Sequence, residues 1–345
     1  MSKSITIPIK DAVGMALLHD ITEIKPGEFK GVAFKKGHII LESDIPRFLS
    51  LGKENIYVLT IDKDEVHEND AALALAKGLM GQNVEMAGEP REGKININAS
   101  IDGLLKIDKV RLFALNMIGE VMCATLHTNS LVKKGQIVGA TRAIPLVISA
   151  SVLEGAVNAI TNPDGVINVK PLIKPRVGLV ITGNEVFSGR IKDAFFPVIE
   201  KKITAFGGEI VKMHYCPDDK AIIETRLREL IGLNINMLIT TGGMSVDPDD
   251  VTRFAIRNLE ITESYYGTPV LPGAMFMLSY LRDNMLPILS IPACGMYSKT
   301  TVLDIILPRI LAGDMIGREE IAEMGHGGLC MQCKECIWPV CPFCK

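Results

Sequence analysis

The sequence predicts an α/β fold in which a mostly parallel sheet is flanked by helices, preceded by an α+β N-terminal domain. The first observation is a regular alternation after residue 175, where short apolar runs typical of buried strands alternate with stretches of helical spacing. The second is composition: 48% of the 345 residues are hydrophobic and only 5% are aromatic, which suits a buried parallel sheet. A chain of this length accommodates two domains with ordinary cores.

We expect four segments along the chain. They are an α+β domain over 1–150, a connecting helix and strand over 151–174, the α/β domain over 175–313, and a cysteine-rich tail over 314–345. In the first segment, the apolar pattern predicts strands over 5–9 and 55–61 and helices from Ser43 and over 67–80. No pattern in the first 150 residues indicates what they bind.

The α/β domain reads as strand, helix, strand, helix, which implies parallel strands with right-handed crossovers. The predicted strands are 177–182, 209–215 and 236–241; the predicted helices are 193–206, 218–232, 249–259 and 295–313. Gly207 and Gly208 stop the first of these helices, and Asp218 or Asp219 caps the second. The last helix is mostly apolar and is expected to close the core, with a kink at Pro308.

Charge and hydropathy exclude several classes of partner. The net charge is −3 and the predicted pI is about 6.1, so we expect no nucleic-acid partner, which would require clustered Lys and Arg. The N-terminal residues lack the apolar core of a secretory signal, and the longest apolar run contains Pro145 and is too short to span a bilayer. We therefore expect a cytoplasmic protein without a membrane partner.

The stretch after the predicted strand 236–241 carries the strongest indication of a site. Gly242 and Gly243 lead into a helix N-terminus, where bare backbone N–H groups favour an anion. Three carboxylates share this turn: Asp247, Asp249 and Asp250. Because carboxylates repel a phosphate, the arrangement predicts a hard cation such as Mg²⁺ between them. The alternative is structural, since Asp249 and Asp250 also suit the start of a helix without any ligand.

A second turn follows the predicted strand 177–182. Ligands of parallel sheets lie beyond the carboxyl ends of the strands, so Thr182 and Gly183 are expected at the same edge as Thr241 and Gly242. The hydroxyls of Thr182 and Ser245 suit phosphate oxygens, and Glu185 with Asp250 suits a cation. The alternatives are a solvated turn residue for Glu185 and a helix cap for Asp193.

Several motifs occur in order between residues 175 and 312: ITGNEV at 181–186, RIKD at 190–193, TTGGMS followed by DDVT at 240–252, VLPGAM at 270–275 and SIPACGM at 290–296. Together they resemble the molybdopterin-binding domain shared by molybdopterin adenylyltransferase and molybdopterin molybdotransferase. Three positions depart from that pattern, and the molybdotransferase's DNSAMDGYA-like segment is not found N-terminally. Met244, at the fourth position of the family's usual TGGTG, is bulkier than the family residue. Ala274 stands where the molybdotransferase has a lysine, and Ala293 stands where its second Pro-Gly turn has glycine.

The resemblance implies a set of site residues. Pterin-binding positions would be Thr182, Gly183, Thr241, Gly242, Gly243, Met244, Ser245, Pro272, Gly273 and Pro292. Asp250 and Glu185 would be catalytic, and Mg²⁺ would be held by Asp247, Asp249, Asp250 and Asp193. The ligand would be molybdopterin, as the pterin phosphate or its adenylylated form, and the resemblance also implies a homo-oligomer.

Two functions of different class follow from the resemblance. The first is a transferase step in molybdenum-cofactor biosynthesis, either adenylyl transfer or molybdate insertion, in which catalysis comes from placement and charge compensation. The second is a module that binds the pterin without chemistry and delivers it to a molybdoenzyme. A third reading, hydrolysis of a nucleotide by a related domain, has less support.

The C-terminal tail contains Cys330, Cys333, Cys336, Cys341 and Cys344 in the spacing C-x2-C-x2-C-x4-C-x2-C. Such spacing lets several thiolates converge on one zinc ion or one iron–sulfur cluster. In a reducing compartment this pattern more often marks a metal site than a disulfide framework. The alternatives are a reduced, metal-free segment and a redox-sensing or docking element.

Overall fold

The structure is a computed structural model of the chain and describes residues 5–15, 17, 19–25, 29–36, 38–58, 64–244, 250–283 and 285–345. The chain divides into two compact units. The first unit comprises Met1–Ile101, Lys106–Leu126 and Lys133–Val169; the second comprises Asp102–Leu105, His127–Val132 and Lys170–Lys345.

The elements up to residue 170 are mostly short strands. In chain order they are β1 (Ile5–Pro8), β2 (Ile21–Lys25), β3 (Phe29–Phe34), α1 (Ile45–Ser50), β4 (Asn55–Val58), β5 (Glu65–His67), α2 (Glu68–Leu79), β6 (Val84–Met86), β7 (Lys94–Ala99), β8 (Gly103–Ile107), α3 (Lys109–Asn116), β9 (Val121–Thr125), β10 (Leu131–Val132), β11 (Ile137–Ala143), β12 (Val147–Ser149), α4 (Ala150–Ile160) and β13 (Ile167–Lys170). The strand and helix predicted over 5–9 and 67–80 are confirmed as β1 and α2.

The first unit is built around a four-stranded antiparallel sheet in the order β6-β7-β11-β9. Helix α2 packs on β7 and β11, because Ala72, Leu75 and Leu79 recur at helical spacing and are fully buried. Nearer the N-terminus, β1 pairs with β4 and β2 pairs with β3, both antiparallel, and the rings of Phe34 and Phe48 stack 4.1 Å apart.

The remaining elements form the α/β part of the second unit. In chain order they are β14 (Arg176–Thr182), α5 (Asn184–Phe187), α6 (Phe195–Ala205), β15 (Glu209–Cys216), α7 (Lys220–Ile231), β16 (Met237–Thr241), α8 (Thr252–Arg257), β17 (Ile261–Tyr266), β18 (Met277–Leu281), β19 (Pro287–Ile291), α9 (Cys294–Tyr297), α10 (Val302–Leu311) and α11 (Arg318–Glu323). The predicted α/β class is confirmed.

The sheet of the second unit has six strands in the order β15-β14-β16-β19-β18-β17. The pairs β15–β14, β14–β16 and β16–β19 are parallel, whereas β19–β18 and β18–β17 are antiparallel. In the register of β14 with β16, Ile181 lies opposite Thr241, so both strands end at the same level. The two glycine turns predicted beyond these strands therefore lie at one edge of the sheet.

Strands β14 and β16 are buried on both faces, which divides the core in two. On one face, Leu179 and Ile239 pack with residues of α6 and α10; on the other, Val180 and Leu238 pack with residues of α7 and α8. Successive side chains of each strand point into different cores. For this reason the sequence shows continuous apolar runs here rather than an apolar residue at every second position. Asp219 caps α7 by accepting hydrogen bonds from the backbone N–H groups of Ala221 and Ile222.

The C-terminal part of the second unit differs from the sequence-based expectation in three ways. Strands β17, β18 and β19 had not been predicted, and they make nearly half of the sheet antiparallel. The helix predicted over 295–313 is two helices, α9 and α10, because Thr301 caps α10 together with Asp304, whose carboxylate accepts from the Thr301 backbone N–H at 2.7 Å. The tail expected to be separate packs on the unit's core, where Phe343 is 4% exposed.

The segment 151–174, expected to connect two domains, lies mostly within the first unit. Helix α4 packs against α2 and α3 through buried Leu153, Ala156 and Ile160. Its apolar face is therefore part of a core rather than a linker. Among the described residues, no helix combines the length and apolarity needed to cross a membrane.

Candidate functional site

The turn that follows β16 requires glycine at two successive positions. Gly242 and Gly243 adopt φ values of +79° and +57°, which side-chain-bearing residues adopt at a cost. A Cβ at Gly242 would overlap the Thr182 carbonyl oxygen, and a Cβ at Gly243 would overlap the Thr252 hydroxyl. The sequence therefore places bare backbone at the carboxyl edge of the sheet.

Buried hydroxyls hold this turn against the neighbouring strand. The Thr182 hydroxyl donates to the Thr241 carbonyl at 3.0 Å and lies 3.0 Å from the Thr252 hydroxyl. Because Thr182 has one hydroxyl hydrogen, Thr252 is the donor in the second contact. Thr182 is 4% exposed, so its hydroxyl forms part of the framework of the turn. The expected contact of this hydroxyl with a phosphate oxygen stays a prediction.

Met244 anchors the other side of the turn. Its side chain is 3% exposed and packs in the core cluster formed with α7 and α8. Its carbonyl accepts a hydrogen bond of 2.7 Å from the Tyr266 hydroxyl. The bulky Met244 side chain is therefore mainly a core residue, and only a small part of Met244 lines the cavity beside the turn.

A cavity of about 570 Å³ lies beside the glycine turn, within the second unit. Its lining is largely apolar and comes from four stretches of chain: Gly242, Gly243, Met244 and Asp250; Leu271, Pro272, Gly273, Ala274 and Met275; Pro292, Ala293 and Cys294; and Leu329 and Gln332 of the tail. The described lining includes Asp250, Cys294 and Gln332 as its polar side chains and no Lys or Arg. Concave, mostly apolar walls with few polar groups are typical of small-molecule sites.

The structure brings seven of the predicted site residues to this cavity: Gly242, Gly243, Met244, Asp250, Pro272, Gly273 and Pro292. Thr182, Gly183 and Thr241 do not line the cavity, and the hydrogen bond between Thr182 and Thr241 supports the turn. Ser245, Asp247 and Asp249 lie outside the described residues. Of the predicted carboxylates that the structure describes, Asp250 is therefore the one on the cavity wall.

Glu185 and Asp193 do not line the cavity. Glu185 is exposed on α5, and its carboxylate lies near the Gly183 backbone. The carboxylate of Asp193 accepts hydrogen bonds from the N–H groups of Phe195 and Phe196, at 2.7 and 3.1 Å, and from the Tyr215 hydroxyl at 3.1 Å. The contacts of Asp193 are therefore those of a helix cap. Metal binding by Glu185 and Asp193 remains a prediction.

The turn at Pro272 also depends on glycine. Gly273 has a φ of +137°, and a Cβ there would lie 2.6 Å from a methyl carbon of Val302 at the start of α10. This close approach brings the loop before β18 against the helix. At the third stretch, the Pro292 carbonyl accepts from the Gly295 N–H at 2.9 Å and closes the turn into α9.

Sequence reasoning missed half of the cavity wall. Leu271, Ala274, Met275, Ala293, Cys294, Leu329 and Gln332 were not among the predicted site residues. The residues beside Pro272 and Pro292 were detectable, because each flanks a turn that had been singled out. Nothing in the sequence relates Leu329 or Gln332 to the glycine turn.

The tail forms a second cavity of about 400 Å³ in the same unit, lined by Cys330, Cys333, Cys336 and Cys341. Burial raises the pKa of Cys344 to about 11, and the neighbouring thiols of Cys341 and Cys330 add to this rise. The Thr300 hydroxyl, 3.3 Å from the Cys336 sulfur, lowers the pKa of that thiol.

The described part of the chain includes all five tail cysteines and three of the predicted carboxylates, Glu185, Asp193 and Asp250. There, no three His, Cys, Asp or Glu side chains converge closely enough to hold a metal ion. The tail thiols have the chemistry that zinc and iron–sulfur clusters prefer. They would have to move closer together before three or four of them could share a metal.

Sequence comparison places this site within a described domain family. Residues 178–312 match the family described as a probable molybdopterin binding domain, and residues 6–60 match a domain of unknown function. The resemblance inferred from the motifs is thus confirmed for this part of the chain. The curated relatives include CinA-like proteins of Mycolicibacterium gilvum, 36% identical over 91 residues, and of Mycobacterium tuberculosis, 33% identical over 95 residues. The matches cover 25% and 28% of this chain, and 22% and 21% of those proteins.

Solved structures with a similar arrangement include the molybdopterin biosynthesis enzyme MoaB of Thermus thermophilus, at 20% identity and a TM-score of 0.35. That match covers 41% of this chain and 98% of that chain. The molybdopterin biosynthesis MoeA protein of Pyrococcus horikoshii matches at 15% identity and a TM-score of 0.34, over 72% of this chain and 74% of that chain.

Proposed function

We propose that this protein binds molybdopterin in the cavity beside the Gly242–Gly243 turn and acts in molybdenum-cofactor biosynthesis. The observation that supports the proposal most is the coincidence of two facts. The sequence match to a probable molybdopterin binding domain covers the glycine turn, and that turn borders an apolar cavity large enough for a small heterocyclic ligand. The phosphate of the pterin would lie on the turn.

The charges around the cavity support a cation beside the phosphate. The described lining contains the carboxylate of Asp250 and no Lys or Arg to balance an anion. Backbone N–H groups of the glycine turn supply part of the attraction. A Mg²⁺ ion held by Asp250, with Asp247 and Asp249 as further candidates, would remove the repulsion between carboxylate and phosphate.

For the chemistry, we propose Mg²⁺-assisted handling of the pterin phosphate, by adenylyl transfer or molybdate insertion. When bound, the ion would supply compensation for negative charge that develops on phosphate oxygens. The protein's part is placement: the rigid turn fixes the phosphate, the apolar walls exclude water, and Asp250 orients the ion. Ala274 replaces the lysine of the molybdotransferase pattern, which favours adenylyl transfer over molybdate insertion.

The second candidate is a non-catalytic module that holds the cofactor and delivers it to a molybdoenzyme. The observation in its favour is the position of Glu185, the other proposed catalytic carboxylate, which is exposed and does not line the cavity. A binding module needs the turn and the apolar walls but no second carboxylate.

For the tail, we propose a thiophilic metal centre, zinc or iron–sulfur, on Cys330, Cys333, Cys336, Cys341 and Cys344. The support is that four of these cysteines line one cavity and that Cys344 lies near Cys341 and Cys330. Metal analysis of anaerobically purified protein, with acid-labile sulfide measured beside zinc and iron, distinguishes the two centres. The Cys330→Ser/Cys341→Ser double variant should lose the metal, whereas Cys123→Ala, which changes a buried cysteine of the first unit, should keep it.

The test of the main proposal is calorimetry of the full-length, reduced protein with molybdopterin and its adenylylated form, with and without Mg²⁺. We expect micromolar or tighter binding that weakens at least tenfold without Mg²⁺ and in Asp250→Asn, a free-energy change of about 1.4 kcal/mol or more. Asp283→Asn is the matched control, because Asp283 is exposed in the turn after β18 and does not line the cavity.

The outcomes separate the candidate functions. Turnover at saturating pterin and Mg²⁺ that falls sharply in Asp250→Asn supports the enzyme. Binding without turnover in every form of the protein supports the delivery module. Absence of binding to either pterin would refute both, and nucleotide probes would then test the third reading, hydrolysis.

A further inference from the structure

The C-terminal tail contributes a wall to the candidate pterin cavity. The backbone N–H of Leu271 donates to the Gly328 carbonyl at 2.8 Å, and the N–H of Cys330 donates to the Leu271 carbonyl at 2.9 Å. These bonds lay Leu329 beside Leu271 in a short parallel bridge. Both residues line the cavity, together with Gln332 two residues beyond Cys330.

This wall is a fixed part of the second unit. A Cβ at Gly328 would overlap the Pro269 carbonyl, so the tail approaches the Pro272 loop as closely as only glycine permits. Farther along, the N–H of Cys344 donates to the Gly327 carbonyl at 3.0 Å, and Phe343 is buried in the core. The tail therefore returns on itself and is anchored at both ends of the segment that faces the cavity.

Gln332 has properties that suit a ligand contact better than a structural one. Its φ is +50°, a left-handed conformation that costs a non-glycine residue about 1 kcal/mol. Its side chain is exposed, makes no hydrogen bond with another described residue, and lines both cavities. In the described lining of the larger cavity, its carboxamide is the one side chain that offers both an N–H donor and a carbonyl acceptor.

We propose that Gln332 is a specificity-determining residue that recognises the amide edge of a planar heterocycle. The proposal rests on the proposed function, since a pterin carries adjacent N–H and C=O groups on its pyrimidinone ring. A carboxamide pairs with such an edge through two hydrogen bonds, donating one and accepting one. Leu271 and Leu329 supply apolar contact for the ring, while the phosphate lies at the Gly242–Gly243 turn.

The test uses two probes and the full-length protein under reducing conditions: unsubstituted pterin, followed by its fluorescence, and inorganic pyrophosphate with Mg²⁺, followed by calorimetry. Gln332→Ala is expected to weaken pterin binding about tenfold or more and to leave pyrophosphate binding within twofold. Met331→Ala is the matched control, because Met331 is an exposed neighbour that lines only the smaller cavity.

Each outcome is decisive for one of the proposals. Unchanged pterin affinity in Gln332→Ala, with tight binding by the unaltered protein, would overturn the role of Gln332 and leave the proposed function standing. Equal losses for both probes, or an equal loss in Met331→Ala, would show a structural effect of the tail and would also overturn it. If the unaltered protein binds neither probe, the proposed function itself fails.

Discussion

The glycine-turn cavity and the cysteine-lined cavity of the second unit share Pro272 and Gln332 but differ in what holds their walls. The larger is built on strand ends and glycine turns, and buried hydroxyls fix its floor. The smaller is lined by loops that carry cysteines, with few hydrogen bonds beyond those of Cys330, Cys336 and Cys344. The sheet and its turns set most of the first cavity's geometry, whereas a metal bound by the thiols would add links between the loops of the second.

This difference shows which part of the fold holds a cavity in place before a ligand binds. Parallel strands buried on both faces cannot shift without exposing two cores, so the turns at their ends are held firmly. The cysteine-bearing end of the tail, residues 330–345, is held by one buried aromatic side chain, Phe343, and a few backbone bonds. We therefore expect substitutions at the sheet edge to affect stability and those in the tail to affect thiol chemistry.

The largest expected effect is at the glycine turn. Gly243→Ala combines the cost of a left-handed backbone with overlap of the Thr252 hydroxyl, so it should lower the free energy of unfolding by about 2–4 kcal/mol. Gly313→Ala is the control, because Gly313 has a φ of +83° but no atom within 4 Å of the position that a Cβ would take. This substitution should lower the free energy of unfolding by only about 1 kcal/mol. Urea denaturation measures both, and equal losses would mean that steric overlap contributes nothing at the sheet edge.

A smaller loss is expected for the buried hydroxyl beneath the turn. Thr182→Val keeps the shape but leaves the Thr241 carbonyl and the Thr252 hydroxyl without this partner, which should cost about 1–3 kcal/mol. Thr225→Val removes an exposed hydroxyl on α7 and should change stability by less than about 0.5 kcal/mol. Thermal unfolding of the two variants compares them, and a neutral Thr182→Val would contradict the framework role.

The cysteines of the tail should differ in how fast they are alkylated. In the reduced, metal-free protein at pH 8, Cys336 should react with iodoacetamide at least tenfold faster than Cys344, since the thiolate is the nucleophile. The Thr300 hydroxyl lowers the pKa of Cys336, while burial raises that of Cys344 to about 11, so Cys344 stays protonated until the pH nears that value. Peptide mass spectrometry follows both sites.

The control for this prediction is Thr300→Val. Removal of the hydroxyl should raise the pKa of Cys336 and slow its alkylation at pH 8, with little change at Cys344. Similar rates for both cysteines in the unaltered protein would show that the tail does not hold the thiols as described.

Much of the site's position could be predicted from the sequence. Local signals were sufficient to predict β14, β16 and the glycine turn. Each is marked by an apolar run that is followed within a few residues by Thr-Gly or Gly-Gly. The roles of Thr182 and Met244 were harder to anticipate, since a hydroxyl in a motif looks available for a ligand until its partners are known. Their partners, Thr252 and Tyr266, come from α8 and β17.

The antiparallel strands were missed for a related reason. β18 is buried on both faces, so it lacks the alternation that identifies an antiparallel strand, and β17 is partly polar with no buried residue. The break between α9 and α10 did carry a local signal, because Thr301 and Asp304 stand at capping-box spacing, but that signal was overlooked.

Local patterns were enough to predict the α/β class, the glycine turn at the edge of a buried sheet, the resemblance of residues 175–312 to a molybdopterin-binding domain, and the thiol-rich chemistry of the tail. They could not predict that the tail lies beside the glycine turn and contributes Leu329 and Gln332 to its cavity. Turns and caps are set by contacts within a few residues, whereas Leu271 and Leu329 meet through backbone bonds that no side-chain pattern encodes.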